Sequence, residues 1–228
     1  MKKVIYLLFV VAVLSSCTAS KLTCTRGGNY PKMYEENAAS ILVMPPINKT
    51  VNVEAKEYFY TSMATPLAEK GYYVISPFVA MDLLKSESAY DSEMFINGKL
   101  SPFKEIFGAD AVLFTIINTW SKSTIGSSIT VNIEYILKST TSNEVLFTRK
   151  GELTLDTSIS SSGGGLAGML VSTIASAVNT ALTDKVIAAR MCNNYVLSDM
   201  PEGKYSSMYG KDKDVKVGDS TFSGVVRQ

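Results

Sequence analysis

Histidine is absent from all 228 residues, and that absence removes more chemistry than any other feature of the composition. Imidazole is the one side chain whose unperturbed titration falls near neutral pH, so the Ser-His-Asp triad and the usual zinc site are excluded with it. Carboxylate-only catalysis survives through acids such as Asp82, Glu105 or Asp110, but no spaced pair of carboxylates stands out. Neither a cofactor nor a metal is expected. Charge is scarce and balanced, at 19% of residues with 22 basic and 21 acidic side chains, which gives no basic stripe for nucleic acid. Cysteine occurs three times, too few for a disulfide framework. Long apolar runs are missing as well: the longest uninterrupted one, residues 4–14, is too short to span a bilayer as a helix.

That short run sits where it has another meaning. Lys2 and Lys3 precede it as a positive region, and Leu14-Ser15-Ser16-Cys17 closes it. The arrangement resembles a bacterial lipobox, in which the Cys17 sulfur receives a diacylglyceryl group, residues 1–16 are removed, and the new amino group is acylated. Several acyl chains, each methylene stabilising by about 0.8 kcal/mol when buried, make such an anchor effectively permanent. An ordinary secretory signal with an incidental cysteine is the plainer alternative. The mature chain then has 22 − 2 = 20 basic and 21 acidic side chains. Thr18 stands where an Asp often retains lipoproteins at the inner membrane, so a periplasm-facing outer-membrane location is expected. Cys24 and Cys192 remain, and an oxidising periplasm permits a bridge between them.

Residues 17–37 are polar and weakly periodic and read as a tether; residues 38–198 read as the folded domain and 199–228 as a C-terminal extension. Ile41-Leu42-Val43-Met44 is a buried strand stopped by Pro45-Pro46. Ala55, Tyr58, Phe59, Met63 and Leu67 keep helical spacing, with Pro66 expected to kink or split the helix and Gly71 to close it. A strand at residues 72–75 completes a βαβ pattern, and Ser76-Pro77 opens another helix. Residues 109–120 are apolar on both faces, hence a central strand, and two alternating segments follow with a turn at Thr141-Ser142-Asn143. Ile136 breaks the polar set of the first of these, and Arg149 and Lys150 are expected to face solvent. The expected fold is α/β: one mixed sheet, a parallel βαβ unit beside an antiparallel meander, with packed helices and a long C-terminal helix. A binding site, if present, belongs at the carboxyl ends of the parallel strands, around Pro46, Asn48, Lys49 and Thr50.

Residues 157–183 carry no charged side chain. Leu166, Leu170, Ile174, Val178, Leu182 and Val186 form an i, i+4 stripe, which reads as a helix laid on the sheet. Ser172, Ser176, Asn179 and Thr183 lie mostly off that stripe, and such an uncharged small-residue face also suits self-association or contact with a partner. Gly163 to Gly168 spells G-x-G-x-x-G, yet no strand or acidic residue follows in the place a dinucleotide site requires.

Several separated segments carry a family resemblance. Tyr30-Pro31-Lys32-Met33, Ser40-Ile41-Leu42-Val43-Met44-Pro45-Pro46-Ile47-Asn48, Pro66-Leu67-Ala68-Glu69-Lys70-Gly71-Tyr72-Tyr73-Val74, Phe107-Gly108-Ala109-Asp110-Ala111-Val112-Leu113 and Pro201-Glu202-Gly203-Lys204-Tyr205 with Tyr209-Gly210 resemble the pattern of a Gram-negative lipoprotein family. That family is typified by a genome-derived Neisserial vaccine antigen, and the resemblance covers roughly residues 28 to 212. Where the family often has Leu-Pro-x-Gly-Pro-Tyr, this chain has Met200-Pro201-Glu202-Gly203-Lys204-Tyr205. The resemblance implies a fold similar to the amino-terminal domain of TolB and to the curli-secretion and penicillin-binding-protein-activating lipoproteins. It also implies a non-enzymatic part in envelope transport, secretion or assembly, with other envelope lipoproteins or a second copy as partners; an envelope hydrolase or carbohydrate-handling protein is the alternative.

Overall fold

A computed structural model describes residues 24–123, 128–156 and 180–227, with side chains in the last stretch from Lys185 onward. Its centre is β4 (Ala111–Lys122), whose apolar residues point alternately to two separate cores. β1 (Ser40–Val43) lies parallel to β4 on one side, and β3 (Tyr73–Val74) lies parallel to β1 at the edge. On the other side β5 (Ser128–Ser139) and β6 (Val145–Asp156) continue as an antiparallel meander. β7 (Thr221–Arg227) then adds in parallel to β6, so the order is β3-β1-β4-β5-β6-β7. This is the mixed α/β sheet the periodicity predicts.

β1 ends before Pro45-Pro46, as expected, but the pairing to β4 does not. β2 (Ile47–Asn48) resumes the parallel pairing to β4, with Val43 opposite Leu113 and Ile47 opposite Ile116. Four steps on one strand match three on the other, so Met44 to Pro46 form a bulge that also accommodates two residues without N–H donors.

Alternation along β1 divides the core: Ile41 and Val43 face one layer of helices, Leu42 and Met44 the other. The first layer holds α3 (Ala55–Ser62), α4 (Ala64–Glu69) and α7 (Thr180–Leu197), whose Phe59, Met63, Leu67, Ala188, Cys192 and Val196 are fully buried against the sheet. α3 and α4 break at Met63, and Pro66 sits in the first turn of the second helix, where its missing N–H costs nothing. The second layer holds α5 (Pro77–Ser86) and α6 (Ser101–Phe107), which ends at Gly108 in the left-handed region (φ 67°). Ile136, the exception in the β5 alternation, packs on this second core.

Both ends of the domain depart from the expected layout. The supposed tether folds from Thr25 onward: α1 (Arg26–Asn29) and α2 (Pro31–Glu36) bury Arg26, Tyr30 and Met33, and Thr25 bridges to Lys216. The supposed extension is a strap over residues 199–220 that holds this N-terminal hook and ends in β7. Pairing β7 with β6, and the hook with the strap, satisfies backbone groups at both ends, and β7 buries Phe222. The predicted stripe on the long helix also ends differently. Val186 is 39% exposed, and Ala188, Ala189, Cys192, Val196 and Leu197 form the buried face instead.

Candidate functional site

The carboxyl ends of the parallel strands release a short loop, residues 49–54, whose shape is set by Asn48. Its Oδ1 accepts from the Thr50 backbone N–H (3.1 Å) and hydroxyl (2.8 Å), while its Nδ2 donates to the Asn52 carbonyl (2.8 Å). Asn52 N–H in turn donates to Thr50 Oγ1 at 3.1 Å. These side chains hold the backbone where the β2–β4 pairing stops, at Asn48 opposite Ile117. The consequence is at the tip. Val51 is fully exposed and Val53 82% exposed, two branched apolar side chains offered to solvent on a pinned turn. Asn48 and Thr50, the predicted contact residues, spend their side-chain polar groups on holding the turn, and the side chains most exposed on it are Val51 and Val53. A sequence signal existed: Val51 and Val53 flank Asn52 in a turn-forming stretch that buries nothing.

Lys49 connects the loop to an open groove of about 450 Å³ bordered by Ile47, Ile96, Ile116 and Ile136, with Lys49, Glu93 and Lys138 at its edge. At the other end of the loop, Glu54 accepts from Tyr58 (2.7 Å) and pairs with Lys185 of α7 (3.3 Å). The hydrogen bond from Tyr58, then the one from Lys185 and its charge, hold the Glu54 carboxyl below its ordinary value.

The three candidate acids lie on different elements. Asp110 accepts from Ala39 N–H (3.0 Å), Ser40 N–H (3.1 Å) and Lys104 Nζ (3.1 Å), fastening the turn before β4 to the start of β1. Burial pushes its carboxyl up, but those bonds outweigh it and the net position is below the ordinary value. Asp82 is exposed on α5 in an open cleft of about 280 Å³ with Glu57 and Lys85, and Glu105 is exposed on α6. The structure brings none of the three together as a buried pair.

Cys24 and Cys192 are free thiols in the structure, with no bridge between them. Cys24 Sγ donates to Asp219 at 3.2 Å at the surface, and that bond raises its pKa. Cys192 is fully buried on α7 beside Tyr135, and burial pushes its thiol up to about 12. Cys17, Ser172, Ser176 and Asn179 lie outside the described residues.

Two buried charge clusters escaped the sequence reading. Arg149, expected in solvent, is 2% exposed: its guanidinium pairs with Asp199 (3.0 Å), donates to the Val196 carbonyl (2.9 Å) at the end of α7, and stacks on Tyr195 and Phe222. The signal was present, because position 149 shares the parity of Phe147 and Leu153 and so faces the core. Arg26 donates to Asp212 (3.0 Å), Glu202 (3.1 Å) and the Ser198 carbonyl (2.9 Å), and Lys70 also reaches Glu202 (3.0 Å). Burial raises the Glu202 carboxyl, but the bonds from Lys70 and Ser206 and the charges of Lys70 and Arg26 outweigh it, leaving it below its ordinary value. This clasp uses Glu202, in the segment Met200-Pro201-Glu202-Gly203-Lys204-Tyr205 that carries the family resemblance.

Among the described residues no helix is long and apolar enough to cross a membrane, and no group of His, Cys, Asp and Glu is arranged to hold a metal. A protein of Neisseria meningitidis serogroup B described as "Putative lipoprotein NMB1124/NMB1162" is 29% identical over 187 residues, covering 81% of this chain and 85% of that protein. The crystal structure of lipoprotein GNA1162 from N. meningitidis is 28% identical, with a TM-score of 0.47 over 60% of this chain and 96% of that one. The PelC dodecamer from Paraburkholderia phytofirmans is 15% identical, with a TM-score of 0.38 over 72% of this chain and 90% of that one. A match to residues 28–208 carries the description "Putative lipoprotein GNA1162-like", and the chain belongs to that family.

Proposed function

We propose that this protein is a lipid-anchored envelope component that works by association: attached through Cys17 to the outer membrane, facing the periplasm, and contributing a contact surface to a transport, secretion or assembly system. The observation that carries this reading is the pinned 49–54 loop, which exposes Val51 and Val53 although a solvated turn has no need of apolar tips. The neighbouring groove lined by Ile47, Ile116 and Ile136 extends the apolar surface. The Glu54–Lys185 pair ties the same loop to α7. The uncharged residues Ser172, Ser176 and Asn179 are proposed, from their sequence pattern alone, as a further contact toward a partner or a second copy.

A photo-reactive side chain at position 51, introduced in cells and followed by mass spectrometry of solubilised membranes, should capture one envelope protein. Val51→Asp and Val53→Asp should abolish the capture while changing stability by less than about 0.5 kcal/mol, as exposed substitutions do. Fractionation of Cys17→Ala should find the protein released from membranes or held as precursor. Capture that survives both aspartates places the contact elsewhere, and unlabelled, membrane-bound wild type refutes the anchor.

A further inference from the structure

The distance between anchor and domain is set by where the chain becomes fixed. Cys24 carbonyl accepts from Val217 N–H (2.9 Å), Arg26 N–H donates to the Val215 carbonyl (2.9 Å), and Gly27 N–H to the Lys213 carbonyl (2.9 Å). The N-terminal hook is therefore stitched to the strap residues 213–217, and Gly27 admits the Lys213 Cβ so closely that a Cβ of its own would lie 3.1 Å from it. Only six residues, 18–23, separate Cys17 from this fixed point, a span of at most about 25 Å when fully extended. A lipid on Cys17 consequently holds the strap close to the headgroups.

The strap has the charge such a position calls for. Lys204, Lys211, Lys213 and Lys216 are all exposed, against exposed Asp214 and, just beyond, Asp219, whose carboxylate accepts from Cys24. Asp212, the remaining acid of the run, is buried on Arg26 and so contributes nothing outward. Tyr205 is 70% exposed on the same strap. An amphipathic ring with nearby lysines suits a membrane interface, where lysines meet anionic headgroups.

We infer that the strap over residues 204–216 rests on an anionic phospholipid leaflet, the one that holds the lipidated Cys17, and so orients the domain with its N- and C-terminal hook toward the membrane. The inference deepens the anchored reading and depends on it for geometry, but the charged surface can be tested without the lipid.

The test uses the full mature chain carrying Cys17→Ser, sedimented with vesicles of phosphatidylglycerol and phosphatidylethanolamine or of phosphatidylethanolamine alone. Binding should require phosphatidylglycerol and weaken with salt, and each of Lys211→Gln, Lys213→Gln and Lys216→Gln should weaken it about fivefold, the triple variant about a hundredfold. Lys85→Gln and Lys99→Gln, at exposed lysines of other elements, should leave it unchanged. No binding at millimolar lipid, equal binding to both vesicles, or equal loss from the Lys85 and Lys99 variants overturns the inference. A lipid label on the wild-type chain in cells reads the anchor separately: vesicle binding without a label refutes the anchor alone, and a label without vesicle binding refutes the oriented face alone.

Discussion

Replacing Arg26 by Met should destabilise the domain more than any surface change, because the side chain lost is the counter-charge of a buried acid. Asp212 is 1% exposed and meets Arg26 at 3.0 Å; Glu202, partly buried, meets it at 3.1 Å. Removing one partner of a buried pair costs about 3–5 kcal/mol, since the remaining charge stays out of water. Lys70 continues to serve Glu202, but among the described residues nothing else of positive charge bonds Asp212. At about 2–4 °C per kcal/mol for a domain of this size, the melting temperature should fall by about 6–20 °C. The double variant Arg26→Met with Asp212→Asn separates lost charge from lost packing. An amide oxygen at position 212 still accepts from the Glu202 N–H, which Asp212 does at 2.8 Å, and leaves no orphan charge. It should recover at least about 2 kcal/mol relative to the sum of the single changes, a coupling of the size contacting residues show. Thermal and urea unfolding followed by circular dichroism give both numbers. A cost below about 1 kcal/mol for Arg26→Met, comparable to an exposed pair such as Lys32–Glu144, or strict additivity in the cycle, refutes the reasoning.

Three further outcomes follow from the same geometry. Glu202 has a carboxyl depressed from its ordinary 4.5, so the stability it contributes is fully present above that value and is lost as pH falls through the lower folded value; Glu202→Gln should flatten the acid limb of a stability-versus-pH curve measured by urea midpoints, and an unchanged slope counts against the clasp. Gly151→Ala would place a Cβ 1.9 Å from the Phe222 carbonyl oxygen, so it should push β7 off β6, costing about 1–3 kcal/mol, with amide hydrogen exchange in residues 221–227 accelerating first. Native protein treated with iodoacetamide should be alkylated at Cys24 and spared at Cys192 until denatured, whereas a Cys24–Cys192 peptide in a non-reducing map of periplasmic material contradicts the free-thiol arrangement.

What could be read from sequence was what local pattern determines. β4 is recognisable because a strand covered on both faces has no polar parity, and β5 because Ile129, Val131, Ile133, Tyr135 and Leu137 all take one face. Gly108 fixes the turn into β4 by its left-handed backbone. Pro45-Pro46 does end β1, as proline's missing ladder donor requires, but the return of the chain to β4 as β2 at Ile47 has no signal in the residues between. Arg149 runs against its residue type, which favours solvent, and follows the parity of its strand. Its position on the core face is sustainable only because the Val196 carbonyl, Asp199 and two aromatic rings meet the guanidinium there, and all four come from residues at least 46 positions away.

The ends of the chain were illegible for a different reason. Arg26-Gly27-Gly28-Asn29 contains no apolar period, and residues 199–220 are polar and rich in turns, so each segment alone gives no reason to fold. Each is the other's partner: the hook supplies a guanidinium and N–H donors, the strap supplies two carboxylates and carbonyls, separated by more than 170 residues. Such pairing leaves no periodic trace because the contacts are made by single residues rather than faces. It nonetheless determines function-relevant geometry, since a chain that became fixed only at Ser40 would place its domain up to about 80 Å from Cys17 by contour length instead of about 25 Å. Breaking the clasp therefore has two separable consequences. Arg26→Met lowers stability, and by loosening the hook it lengthens the effective tether, so a partner reached only near the membrane should be captured less efficiently at position 51 even at temperatures where the domain remains folded.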